Sequence, residues 1–238
     1  MRRVAGMLVV VGGCLFAGWG MAADSSLSLN LGSAYIFRGV TYNDGMVFQP
    51  SLNVNDIKVG EDGAAGAFGV GVWGNLDLDD YNGTLNNGEF SEVDLYGSWL
   101  APLESVDLTV GYNEYTYPSG GGDADRELSL LVGAHCLLSP SLGVYYGIDG
   151  GVQNSLYVEG MVSYCWQLRE VDLTAGGLVS YRNPDEGESG FAHWGCGLIA
   201  GWRIFEARIS YIDKLESKVL GDAYDVGLAG SLGVTIPL

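Results

Sequence analysis

Eleven charged residues fall where a two-residue alternation would turn them toward one common face of a sheet. They are Arg38, Asp77, Glu92, Asp94, Asp107, Glu127, Glu159, Asp172, Arg182, Glu206 and Arg208. Collected inside a closed sheet, such groups would line a polar lumen and set its preference between cations and anions. Asp77 with Asp79, and Glu92 with Asp94, stand at i, i+2 on one strand face. Carboxylates so placed could hold Ca²⁺ or repel anions, although a solvated wall or rim is their ordinary role. Arg38, Arg182 and Arg208 are the cations that would pair across such a lumen or form its constriction.

Other chemistry has little to work with. A lipid hydrolase would need a Ser–His pair with a supporting polar group, and the only histidines are His135 and His193. Ser139 or Ser141 near the first lies by an expected turn, and Ser189 near the second lies in an expected loop. The expectation is therefore no enzyme and no catalytic residue. Gly120-Gly121-Gly122 lacks the P-loop pattern and reads as a loop. Beyond Cys14 the cysteines are Cys136, Cys165 and Cys196. Their number is odd and their spacing fits no zinc site, so small wall residues are expected and no metal or cofactor.

The elements that must carry these residues are strands. The chain has 238 residues, with 11 Lys and Arg against 29 Asp and Glu, a formal charge of −18. That excludes nucleic acid as a partner, because no basic surface exists to neutralise phosphates. Charged residues are 17% of the chain, below the roughly 25% of soluble domains, while Gly reaches 38 and Tyr 14. Residues 1–23 read as a cleaved signal peptide. Arg2 and Arg3 precede an apolar run from Val4 to Trp19, and small residues follow up to Ala23.

From there to the end, residues 24–238, the period is two. Leu27, Leu29 and Leu31 alternate with Ser26, Ser28 and Asn30, and Tyr35 and Phe37 are expected to continue that apolar face. Val70 and Val72 oppose Gly69 and Gly71; Val93 and Leu95 oppose Glu92 and Asp94; Leu128 and Leu130 oppose Glu127 and Ser129. The same alternation recurs through Tyr146, Val162, Val179, Leu198 and Ile209 to Leu238. It gives about twelve strands, each near the ~10 residues a tilted strand needs to cross a bilayer. Short turns are expected at 101–104, 139–141, 167–170 and 203–204, and long acidic loops at 79–88, 119–125, 183–189 and 213–222. That asymmetry is the pattern of outer-membrane barrels. Trp99, Tyr112, Tyr164, Trp166, Tyr181, Trp194, Trp202 and Tyr211, with Tyr35 and Phe37, would supply the interfacial girdles. The expectation is a single-domain, all-β, transmembrane antiparallel up-and-down barrel, placed in the bacterial outer membrane with its long loops outside. Its partners would be outer-membrane lipid, the barrel-assembly machinery, and small solutes or ions.

Tyr35-Ile36-Phe37-Arg38-Gly39-Val40 resembles the opening Tyr-x-Phe-Arg-Gly motif of the TorF-family porins. Phe48-Gln49-Pro50-Ser51-Leu52, Gly71-Val72-Trp73-Gly74-Asn75, Glu92-Val93-Asp94-Leu95-Tyr96 and Tyr115-Thr116-Tyr117-Pro118 follow in that family's order. The resemblance runs from about residue 27 to 118. It implies an outer-membrane porin, with Arg38 the arginine that matches the motif. The acidic loops, the three cysteines and the terminal Leu238 depart from the family pattern. Combined with the acidic face, it leads to a diffusion pore for small solutes or ions that favours cations. The alternative is a non-conducting barrel that binds surfaces through its acidic loops.

Overall fold

Twelve long strands close into one antiparallel barrel. The computed structural model describes residues 24–79, 87–221 and 226–238, so the expected signal peptide and the middle of the 79–88 loop lie outside the described residues. The wall is built of β1 (Asp24–Gly32), β4 (Val47–Lys58), β5 (Ala67–Asp77), β6 (Phe90–Pro102), β7 (Val106–Thr116), β8 (Asp125–Ala134), β9 (Ser141–Asp149), β10 (Leu156–Leu168), β11 (Val171–Asn183), β12 (Gly190–Trp202), β13 (Phe205–Lys214) and β14 (Leu228–Pro237). Two short strands, β2 (Tyr35–Phe37) and β3 (Val40–Asn43), form a separate hairpin.

Every wall strand pairs with its sequence neighbours, and β1 pairs with β14 from Ser26↔Pro237 to Gly32↔Ser231. Ser28 and Thr235 bond across that seam at 3.0 Å, and the Leu238 amide donates to the Ser25 carbonyl. Closure removes the edge that an open sheet would present. One end carries two-residue turns at 169–170 and 203–204, and the other carries longer connections such as 33–46, 117–124 and 215–227.

Alternation sorts the side chains as expected. Leu95, Val110, Leu130, Val162 and Ile209 point outward and are exposed, while Asn53, Asn75, Ser129 and Ser163 point inward and are buried. Tyr146, Tyr164, Trp166, Tyr181, Trp194, Trp202 and Tyr211 are also exposed on the outside, several in ring pairs such as Trp194–Tyr211 at 5.6 Å between centroids.

Tyr35 and Phe37 correct the expected girdle. β1 ends at Gly32, and the chain then folds back into the barrel instead of extending the wall. Tyr35 and Ile36 are buried, and Phe37 packs against Tyr115 of β7 at 5.7 Å. The reversal is local chemistry. Phe37 pairs with Val40, so Arg38-Gly39 forms a two-residue turn with φ of 51° and 81°, the left-handed geometry of tight hairpins.

Candidate functional site

The hairpin fills the lumen at the long-loop end, and polar bonds to the wall hold it there. From β2, the Tyr35 hydroxyl donates to Glu92 Oε2 of β6 at 2.8 Å, and the Tyr35 ring packs on Trp73 of β5 at 5.5 Å. From β3, Asn43 donates to Asp77 Oδ1 at 2.7 Å, and Thr41 Oγ1 accepts from the Val226 amide. At the turn, Arg38 makes a two-pronged bond to Glu127 of β8, 2.7 Å from Nη1 to Oε1 and 2.8 Å from Nη2 to Oε2. Such paired geometry is the strongest form of ion pair a side chain offers.

Arg38 is also caged by aromatic faces. Its guanidinium carbon lies 4.7 Å from the Phe37 ring centroid, 4.5 Å from Tyr145 and 4.6 Å from Tyr157. The wall orients the two tyrosines of that cage and the carboxylate of the fork. Tyr115 donates to Glu127 Oε2 at 2.9 Å, while Tyr145 and Tyr157 both donate to Glu159, at 3.1 and 3.2 Å. Tyr145 and Tyr157 thus turn a ring face to the cation and a hydroxyl to a carboxylate, while Tyr115 steadies the carboxylate of the fork. A desolvated cation over such faces gains about 2 kcal/mol or more.

Five of the expected inward carboxylates meet in this layer. Asp77, Glu92, Asp94, Glu127 and Glu159 are only 1–8% exposed. Asp94 Oδ1 is buried with no hydrogen-bond partner among the described residues. The layer is therefore packed, with Arg38 its central cation. Arg182 stands on the same inward face farther toward the long loops, opposite Tyr157. Just outside the wall strands, burial and the neighbouring Asp125 carboxylate, 2.7 Å away, push the Tyr117 hydroxyl above its ordinary range.

The other expected residues lie toward the short-turn end. Asp107 Oδ2 accepts from His135 Nε2 at 2.8 Å. Arg208 donates to Glu206 at 2.8 Å, and its buried Nε has no partner among the described residues. Asp172 lies near the start of β11. Between these levels the wall narrows to small side chains. Ser163, Gly176, Gly197 and Ser210 are successive register partners across β10 to β13. Beneath the hairpin they border a cavity of about 110 Å³ that also touches Arg38, Glu159, His193 and Arg208.

The serine that reaches His193 is not the loop residue Ser189. The partner is Ser180, whose hydroxyl lies 2.7 Å from Nδ1 and also contacts the His193 backbone. A bulge makes this pair. Val179 faces Trp194 but Tyr181 faces Phe191, so Ser180 stands opposite two residues, and bulges re-aim side chains in just this way. The His193 ring then turns into the lumen, stacks on Tyr157 at 6.3 Å and lies under Gly39. It is enclosed there, on the opposite side of the wall from any acyl chain in a surrounding bilayer. Cys136, Cys165 and Cys196 are unpaired among the described residues: Cys136 and Cys196 are exposed, and Cys165 sits 3.2 Å from Thr174.

Solved barrels of several kinds are similar in outline. The NanC porin is 12% identical over 90% of this chain and 98% of its own, with a TM-score of 0.48. The outer-membrane phospholipase A of Escherichia coli is 10% identical over 90% and 92%, at 0.46. The translocator domain of the autotransporter NalP of Neisseria meningitidis is 12% identical over 92% and 88%, at 0.45. No curated protein matches the chain. The profile of a family described as "Bacterial protein of unknown function (Gcw_chp)" matches residues 20–223, and the chain belongs to that family.

Proposed function

We propose that this chain is a porin-like barrel of the bacterial outer membrane that passes small solutes or ions, cations in preference, through a lumen closed by its own hairpin. The observation that carries the reading is the source of the obstruction. A barrel meant only as scaffold can fill its lumen with wall side chains. Here a separate segment, joined to the wall by side-chain bonds, fills one end, while beneath it Ser163, Gly176, Gly197 and Ser210 of β10 to β13, with Met161, Leu178, Ile199 and Ile212, leave a cavity. The resemblance to TorF-family porins supports the same reading. So do the outward apolar band and the asymmetric loops, which fit an outer-membrane position.

The carboxylates of the packed layer supply the preference, because a narrow lumen lined by one sign of charge favours the opposite ion. Refolded protein in a planar bilayer under a KCl gradient is expected to open rarely and to show a reversal potential of cationic sign. A chloride-selective potential would contradict that part of the reading. The bilayer setting makes its own prediction. Leu130 points outward at mid-strand, so Leu130→Arg should lower stability by about 2–4 kcal/mol in urea unfolding from lipid vesicles. An unchanged midpoint would argue against burial of that face in lipid. The packed layer also fits a barrel that never conducts, and excision of the hairpin separates the two readings.

A further inference from the structure

The cage around Arg38 is, on its wall side, a complete binding site for a guanidinium. Glu127, Tyr145, Tyr157 and Glu159 belong to β8, β9 and β10 and would remain in the wall if the hairpin left. Glu127 offers two oxygens to a planar fork, and the two tyrosine faces lie 4.5 and 4.6 Å from the cation. Glu159 anchors both rings and adds negative charge beside them. The neighbouring Asp94 Oδ1, buried with no hydrogen-bond partner among the described residues, is one further acceptor for a second donor group.

We infer that this wall site binds solutes bearing a guanidinium, with Arg38 acting as a tethered occupant that such solutes displace. The inference rests on the porin-like reading for its purpose, but the site itself does not. Arg38 comes in at the turn of a fourteen-residue connection, 33–46, which brings Phe37 in with it. A free guanidinium makes the same fork and the same two tyrosine contacts without the tether. It therefore competes for the cage, and the departing hairpin uncovers the cavity beside it. A compact ammonium cannot form the paired fork, so guanidinium should be preferred over amine.

The test uses the mature chain refolded in detergent, with folding checked by the heat-dependent shift on gels. Agmatine is titrated calorimetrically into Arg38→Ala, whose cage is vacant, against butylamine and butylurea as probes without a guanidinium. Agmatine is expected to bind at least roughly tenfold more tightly than either, and Glu127→Gln added to Arg38→Ala should abolish the difference. Equal binding of the three probes, or no binding of agmatine, would overturn the inference even if the same variant conducts KCl. Agmatine binding to a variant that never conducts would keep the site and refute the porin-like reading. The unsubstituted chain supplies an answer if Arg38→Ala does not fold. Agmatine should then raise its open probability more than butylamine or butylurea at equal concentration, and identical responses would overturn the inference.

Discussion

Arg38→Ala is expected to convert a mostly closed barrel into one that conducts steadily. The substitution removes two charge-assisted bonds to Glu127 and three ring contacts in one step. Breaking a buried pair by deleting one partner costs about 3–5 kcal/mol, because the remaining charge is left uncompensated. Here that charge is Glu127, with four further carboxylates in the same packed layer. The strain is relieved if the hairpin leaves and water enters. Since about 1.4 kcal/mol is tenfold in an equilibrium, the open state should gain roughly two to three and a half orders of magnitude in population. Arg38→Lys should fall between, because it keeps the charge and loses the fork. Single-channel recordings measure this directly. A closed Arg38→Ala barrel that is folded by gel shift would mean that Arg38 does not hold the hairpin.

Gly39→Ala should open the barrel by a steric route that leaves every charge in place. An added Cβ would lie 2.7 Å from His193 Nδ1 and 2.8 Å from its Cγ, and the φ of 81° is one that alanine rarely adopts. Both conflicts vanish only when the turn lifts off the His193 ring. That ring cannot readily yield, being held by Ser180 on one side and Tyr157 on the other. Pairing Gly39→Ala with His193→Ala removes the clash and should restore closure in part, leaving the backbone strain of about 1–2 kcal/mol. Conductance of the single and double variants checks this. Equal conductance in both would place the barrier somewhere other than the Gly39–His193 contact.

The wall was legible because a barrel has two solvents and a strand has two faces. Leu128-Ser129-Leu130 shows that alternation plainly, and the strand count followed from its recurrence along the chain. The plug was not legible from that pattern. Tyr35-Ile36-Phe37 continues the apolar rhythm of β1, and a strand turning inward keeps its period; only its neighbours change. The available signal was the Arg38-Gly39 pair between short β-branched and aromatic runs, a tight-turn composition. Five carboxylates of the site were visible as inward positions, but their meeting with one arginine depends on that turn. Ser180 escaped for a different reason. A one-residue bulge shifts register without any mark in the alternation of β11, so its partnership with His193 appears only once the strands are paired.

The most direct measurement is the single-channel conductance of a chain in which residues 34–45 are replaced by a short Gly-Ser connection, compared with the unaltered chain. The shortened chain should conduct steadily, with cationic selectivity, while the unaltered chain stays closed for most of the recording. Silence from both would mean that the lumen is filled throughout, and equal steady conductance from both would mean that the hairpin closes nothing.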